Sequence, residues 1–147
     1  MVYIKRNTYI EIMRFFEQNN NCEKGGIVGC FDDRNVIEHF FADRTACNTF
    51  NTYVPDVIVL NRQIEYWEKR KIHFCGMIHM HLTAKTELSE GDIRYAKRIL
   101  EAFENISWLW FPVVAYIYGT KKLFMYKVKK TKRKKEVFVI SESFEIY

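Results

Sequence analysis

The chain has no CxxC pair, no apolar run long enough to cross a membrane or act as a signal peptide, no internal repeat and no low-complexity linker. Each absence excludes something. Four cysteines, Cys22, Cys30, Cys47 and Cys75, lie too far apart for a zinc ribbon. With no secretory context to support a disulfide framework, they read as buried free thiols. The opening "MVYIKRNTYIEIMRFFEQNNN" is interrupted by Lys5, Arg6, Glu11, Arg14 and Glu17, so a cytoplasmic protein without membrane contact is expected. Neither an H-x-E nor a P-C-x-x-C signature occurs, which removes the zinc site of the nucleoside deaminases.

What remains fits one core. The 147 residues are 48% apolar and 16% aromatic, enough to bury one substantial interior and too few for two ordinary domains. A single domain spanning 1–147 is therefore expected. The net charge of +5 is local, because residues 121 to 135, "KKLFMYKVKKTKRKK", hold nine Lys or Arg and no acid. The rest of the chain is net acidic. Such a run can attract nucleic acid or an acidic surface, but within "KVKKTKRKK" it reads first as a solvated turn between two strands.

Periodicity predicts the elements. Thr8 and Glu11 make a T-x-x-E capping box before Tyr9, Ile12, Met13 and Phe16 at helical spacing, ending at "NNN". "GGIVGCF" and "NVIEHFFA", separated by "DDRN", read as an antiparallel hairpin. Residues 42 to 55 follow neither period and form a loop long enough to suspect of function. Asp56 caps a second helix with Val57, Leu60, Ile64 and Trp67 on one face, and "IHFCGMIHMH" is a strand. A third helix, "SEGDIRYAKRILEAF", turns Ile93, Ala96, Ile99, Leu100 and Phe103 inward, and "FPVVAYIY", "KLFMYKV" and "EVFVISESFEIY" close the chain as strands. The order predicts an α/β fold, a mixed sheet flanked by helices.

The chemistry concentrates in residues 76 to 92, "GMIHMHLTAKTELSEGD". On a strand, His79 and His81 point to one face with Cα atoms roughly 6 to 7 Å apart, a spacing at which two imidazoles can share an ion. His73 has the same parity but lies roughly 20 Å up the strand, and Cys75 about 13 Å from His79, both beyond reach. Asp92, returned over the strand end by the loop 82 to 88, can complete a His-His-Asp set with a fourth position open, as in catalytic zinc sites. Without any metal, Ser89 and Asp92 are accounted for as an S-x-x-D capping box.

His79-x-His81, then Ser89 and Asp92, resembles the motif of the JAMM zinc metalloproteases, the MPN+ or JAB domain family, in a minimal prokaryotic stand-alone form. The family's upstream glutamate corresponds to Glu23 in "CEKGGIVGCF", a residue that composition alone reads as a surface charge at a strand start. The resemblance spans nearly the whole chain and implies an α/β sandwich related to the cytidine-deaminase fold. It departs at Leu82, where the family commonly has proline. The resemblance also implies that His79, His81 and Asp92 hold Zn²⁺, that Glu23 takes a proton from the attacking water and passes it to the leaving amine, and that Ser89 steadies the developing oxyanion or the water. It implies substrates with an amide or isopeptide bond after the C-terminal tail of a ubiquitin-like or sulfur-carrier protein, with conjugation or defence proteins encoded nearby. Two other readings are a nucleic-acid-associated JAB-like domain of the RadC group, favoured by the basic segment, and a non-catalytic MPN− scaffold. The RadC group carries Pro-Ser-Gly-Asp where this chain reads "LTAK", and scaffolds of the MPN− kind have typically lost ligands that are all in place here.

Overall fold

The computed structural model describes residues 1–18, 22–46, 52–132 and 136–147. Cys47, the "NNN" stop and the basic residues 133–135 lie outside the described residues. The described elements run β1 (Val2–Ile4), α1 (Arg6–Glu17), β2 (Gly25–Cys30), β3 (Val36–Ile37), β4 (His39–Ala42), α2 (Val57–Glu68) and β5 (His73–Met80), then α3 (Glu90–Ala102), β6 (Trp108–Trp110), β7 (Val113–Ile117), β8 (Thr120–Lys130), β9 (Val137–Glu142) and β10 (Phe144–Ile146). The fold is the expected mixed sheet flanked by helices.

The main sheet has the order β4, β2, β5, then β6 and β7 in line, then β8 and β9. β6 and β7 are one path broken at Phe111 and Pro112: both lie parallel to β5, with Gly76 opposite Trp110 and His79 opposite Val113, and both pair antiparallel with β8. A small parallel sheet, β10-β1-β3, and α1 cover one face through Val2, Ile4, Ile12, Phe16 and Ile37, packed on Val28, Cys30, Ile78 and Trp110. The other face receives α2 and α3, whose Leu60, Trp67, Ala96 and Leu100 pack on Ile27, Phe74, Met77, Leu109 and Phe111. Truncating one fully buried large side chain of this kind removes about 3 to 5 kcal/mol.

Several expectations shift. Thr8 does not cap α1, whose N-cap is Lys5 without a side-chain bond; its hydroxyl donates instead to the Glu38 carbonyl at 2.7 Å. That bond fastens the helix to the sheet, a tertiary use of a residue whose local pattern signals a cap. "NVIEHFFA" splits: β4 pairs with β2 as expected, whereas β3 leaves to join β1 in the small sheet. β1 and β6 were not anticipated, being short and without clear alternation. On α2, Asp56 does cap, accepting from Val59 N–H at 3.2 Å, but Val57 faces solvent. Cys30 and Cys75 are buried free thiols, while Cys22 is half-buried.

A bulge decides which β5 side chains reach which face. Val28 pairs with Gly76 but Gly29 with Phe74, leaving Cys75 as the extra residue. Phe74 and Met77, three apart, consequently share one core while Cys75 sits in the other. The uninterrupted alternation that gave His73 the parity of His79 therefore fails; His73 Nδ1 lies 3.5 Å from the Glu68 carboxylate at the sheet margin.

Candidate metal centre

Past the bulge, alternation is regular and brings Met77, His79 and His81 to the α3 face. Both imidazoles are buried, and their Nε2 atoms stand 2.9 Å apart. The loop after β5 then folds back so that the first turn of α3 overlies the strand end. Ser89 caps that turn: its Oγ accepts from Asp92 N–H at 3.1 Å, and the Asp92 carboxylate accepts from Ser89 N–H at 2.8 Å. The same oxygen, Oδ2, lies 3.1 Å from His79 Nε2 and 3.2 Å from His81 Nε2. Capping and convergence are thus one arrangement.

The three donor atoms fit a single ion. A tetrahedral cation with bonds of about 2.0 to 2.1 Å separates its ligand atoms by about 3.3 Å, close to the edges seen here. His81 is oriented for the task, because its Nδ1 donates to the Lys85 carbonyl at 2.9 Å, which leaves Nε2 as the atom that can bind an ion once its proton is displaced. His79 Nδ1, by contrast, is buried without a hydrogen-bond partner among the described residues. This His-His-Asp group can hold a metal ion.

Charge follows the geometry. Burial would raise the Asp92 carboxyl, but hydrogen bonds from His79 and His81 overcome it and hold Asp92 well below the usual carboxylate range. Burial likewise opposes a charge on His81, yet its bonds to Asp92 and Lys85 win and raise it above an ordinary histidine. A carboxylate anion beside two imidazole rings also attracts a divalent cation.

Glu23 arrives by strand register. Gly25 pairs with His79 and Met80 N–H donates to the Lys24 carbonyl at 2.9 Å, so Glu23 stands level with His81 and lines the same cleft. Burial pushes its carboxyl up, and the nearby His81 and His79 pull it partly back. The Leu82 backbone N–H also lowers it; a proline at 82 would have no such hydrogen. Lys24 is anchored by its ammonium on the Phe15 carbonyl at 3.1 Å, which ties this segment to the end of α1.

The cleft encloses about 390 Å³. Its floor includes Met77 and Phe111, and Tyr53, Tyr95 and Arg98 stand along its sides. Tyr53 lies directly on Gly25, where any Cβ would collide with its ring, and its hydroxyl donates to the buried Asp43 carboxylate at 2.7 Å. Asp43 also accepts from Asp56 N–H at 2.9 Å, so one acid binds the cleft wall to the start of α2. Asp43 and Tyr53 fall in the loop suspected of function without having been singled out, whereas Tyr95 and Arg98 were not anticipated; their three-residue spacing from Asp92 on α3 was the available signal. Of the suspected loop 42 to 55, residues 47–51 lie outside the described residues, and Thr52, Tyr53 and Pro55 border the cleft.

No protein-family model matches the sequence, and neither does any curated protein. Solved structures do match. The solution structure of protein DSY2949 from Desulfitobacterium hafniense is 15% identical with a TM-score of 0.75, over all of this chain and 93% of that one. The crystal structure of AF2198, a JAB1/MPN domain protein from Archaeoglobus fulgidus, is 14% identical with a TM-score of 0.53, over 99% of this chain and 97% of that one. These likenesses establish the fold, a mixed α/β architecture with a JAB/MPN structural neighbour. Among the described residues no helix is long and apolar enough to cross a membrane.

Proposed function

We propose that residues 1–147 act as one zinc-dependent peptidase domain that cuts a peptide or isopeptide bond after the C-terminal tail of a ubiquitin-like or sulfur-carrier-like protein. The observation that carries this reading is the convergence of His79, His81 and Asp92 donor atoms at 2.9 to 3.2 Å beside Glu23 in one open cleft. A zinc ion held by these three residues would supply Lewis acidity toward the scissile carbonyl and acidify water. Glu23 takes the proton of the attacking water on its carboxylate and later returns it to the leaving amine. Its raised proton affinity suits both directions of transfer. Ser89 Oγ already accepts from Asp92 N–H, so its own hydroxyl proton is the one it can aim at the developing oxyanion. The substrate tail would enter extended, adding alongside the β4 edge or the 52–56 segment.

The test measures metal content and cleavage of linear fusions to ubiquitin-like and sulfur-carrier proteins. Zinc bound in a one-to-one ratio, with cleavage lost in Glu23→Gln, supports the reading. A protein that takes up no metal and cuts no fusion overturns it. Proteins of a conjugation or defence system are the proposed partners, and the cytoplasm the proposed location. The nucleic-acid reading draws on the basic β8–β9 segment, but the described lysines there are partly engaged. Lys127 lies over Trp108 and pairs with Glu142 at 3.8 Å, and Lys121 bonds the Phe16 carbonyl. Salt-dependent DNA binding without fusion cleavage would reverse the order.

A further inference from the structure

We propose that the cleft selects substrates bearing a carboxylate two to three residues from the bond that is cut, and that the Arg98 guanidinium recognises it; this deepens the peptidase reading and rests on it. α3 connects the parallel strands β5 and β6, so it must run back against their direction. Leaving the metal centre, the cleft consequently extends toward Met77, two residues back on β5, and along α3 from Asp92 past Tyr95 to Arg98. At 1.5 Å per residue, Arg98 stands about 9 Å beyond Asp92 along the helix axis. An extended peptide advances about 3.3 Å per residue, which places Arg98 beside the second or third residue from the scissile carbonyl.

The charge at this end is unbalanced. No ion pair among the described residues includes Arg98; its contact is the Tyr95 ring, 5.9 Å from the guanidinium carbon. The acids of the cleft, Glu23 and Asp92, are engaged with the histidines at the opposite end. A planar cation resting against an aromatic ring, at the end of an apolar floor, matches a carboxylate in a bidentate pose better than it matches an amide or a second cation. The carboxylate can come from an acidic side chain or from a free C-terminus.

Short fluorogenic peptides carrying Asp, Asn or Lys at each of three positions on either side of the central amide provide the test, with the zinc-loaded full chain. At one position two or three residues from the cut, kcat/KM is expected to favour Asp over Asn by about tenfold. Arg98→Ala collapses that ratio toward one, and Arg98→Glu turns the preference to Lys. Peptides ending at the same position as free acid or amide tell a terminal carboxylate from a side chain. An Asp-to-Asn ratio near one in the wild type, or an unchanged ratio in Arg98→Ala, overturns the proposal. So does an equal loss in Lys85→Ala, which would mean a diffuse field from the cleft rim. If neither these peptides nor the protein fusions are cut, the peptidase reading fails by itself. Calorimetric binding of the same peptides then decides the Arg98 proposal separately, and equal affinity for Asp and Asn peptides overturns it.

Discussion

The two ends of β5 treat their polar groups in opposite ways. At the end where the strand begins, Arg34 donates to the Phe74 and Trp108 carbonyls at 3.3 and 2.8 Å, and Trp110 Nε1 donates to the Arg34 carbonyl at 2.7 Å. Arg34 and Lys127 also flank the Trp108 ring. Donors and acceptors there close on one another. At the end where it finishes, two imidazoles and a carboxylate crowd together around lone pairs, beside an open cleft. The two Nε2 atoms, 2.9 Å apart and both within 3.2 Å of Asp92 Oδ2, can share protons or a cation, and the open cleft beside them admits an ion from outside. Closed satisfaction marks a structural cluster; polar groups converging on a cleft mark a candidate site.

Substitutions at the two ends should separate these roles. The largest effect is expected from His79→Ala or Asp92→Asn, which remove a ligand: zinc content by elemental analysis falls to near zero and hydrolysis goes with it. A fully metallated double variant would show the ligands to be misassigned. At the closed end, Trp110→Ala should lower unfolding free energy by about 3 to 5 kcal/mol in denaturant titration, while the zinc stoichiometry of the folded fraction stays intact. Glu23→Gln is expected to keep zinc and lose at least about 10²-fold in kcat, equivalent to about 2.7 kcal/mol; undiminished turnover would remove Glu23 from the proton path. Thr8→Val, which loses a buried bond to Glu38 without touching either end, should cost about 1 kcal/mol and leave metal binding alone.

The open end should also respond to pH, with a sign set by the metal. In the metal-free protein His81 holds its proton more tightly when folded, so its stabilising contribution is complete below about pH 6.5 and is lost as pH rises through the higher folded value. Asp92 contributes in the opposite sense. Its share is present above about pH 3.9 and is lost only as pH falls through the depressed folded value. Thermal unfolding of the metal-free chain should thus show declining stability from pH 6 to 8. With zinc the trend reverses, since the ion must displace the His81 proton and binds better as pH rises. A metal-loaded protein whose stability falls over the same range would contradict the assignment of His81.

Sequence made the centre of the site legible and left its surroundings dark. His79 and His81 were readable because strand parity is local, and Ser89 with Asp92 because a capping box spans a single helical turn. Parity failed for His73, since the bulge at Cys75 is fixed by pairing with β2 and leaves no local trace. Thr8 was misread for a related reason: its acceptor lies thirty residues away on the Glu38 carbonyl. Tyr53 and Arg98 come to line one cleft only after α3 and the segment before α2 have packed on the sheet. Gly25 gave a partial hint, because a glycine facing its histidine neighbour across the sheet needs a reason, and the Tyr53 ring is that reason.

One oxygen atom, Asp92 Oδ2, belongs both to the box that starts α3 and to the triangle with the two histidines. Folding and loading are therefore written into the same few ångströms. A carboxylate oxygen that accepts the Ser89 N–H keeps a second lone pair for an ion, so the start of the helix itself sets in place the acid that would hold a metal. A substitution at Ser89 or Asp92 therefore strikes the helix start and the candidate metal centre together.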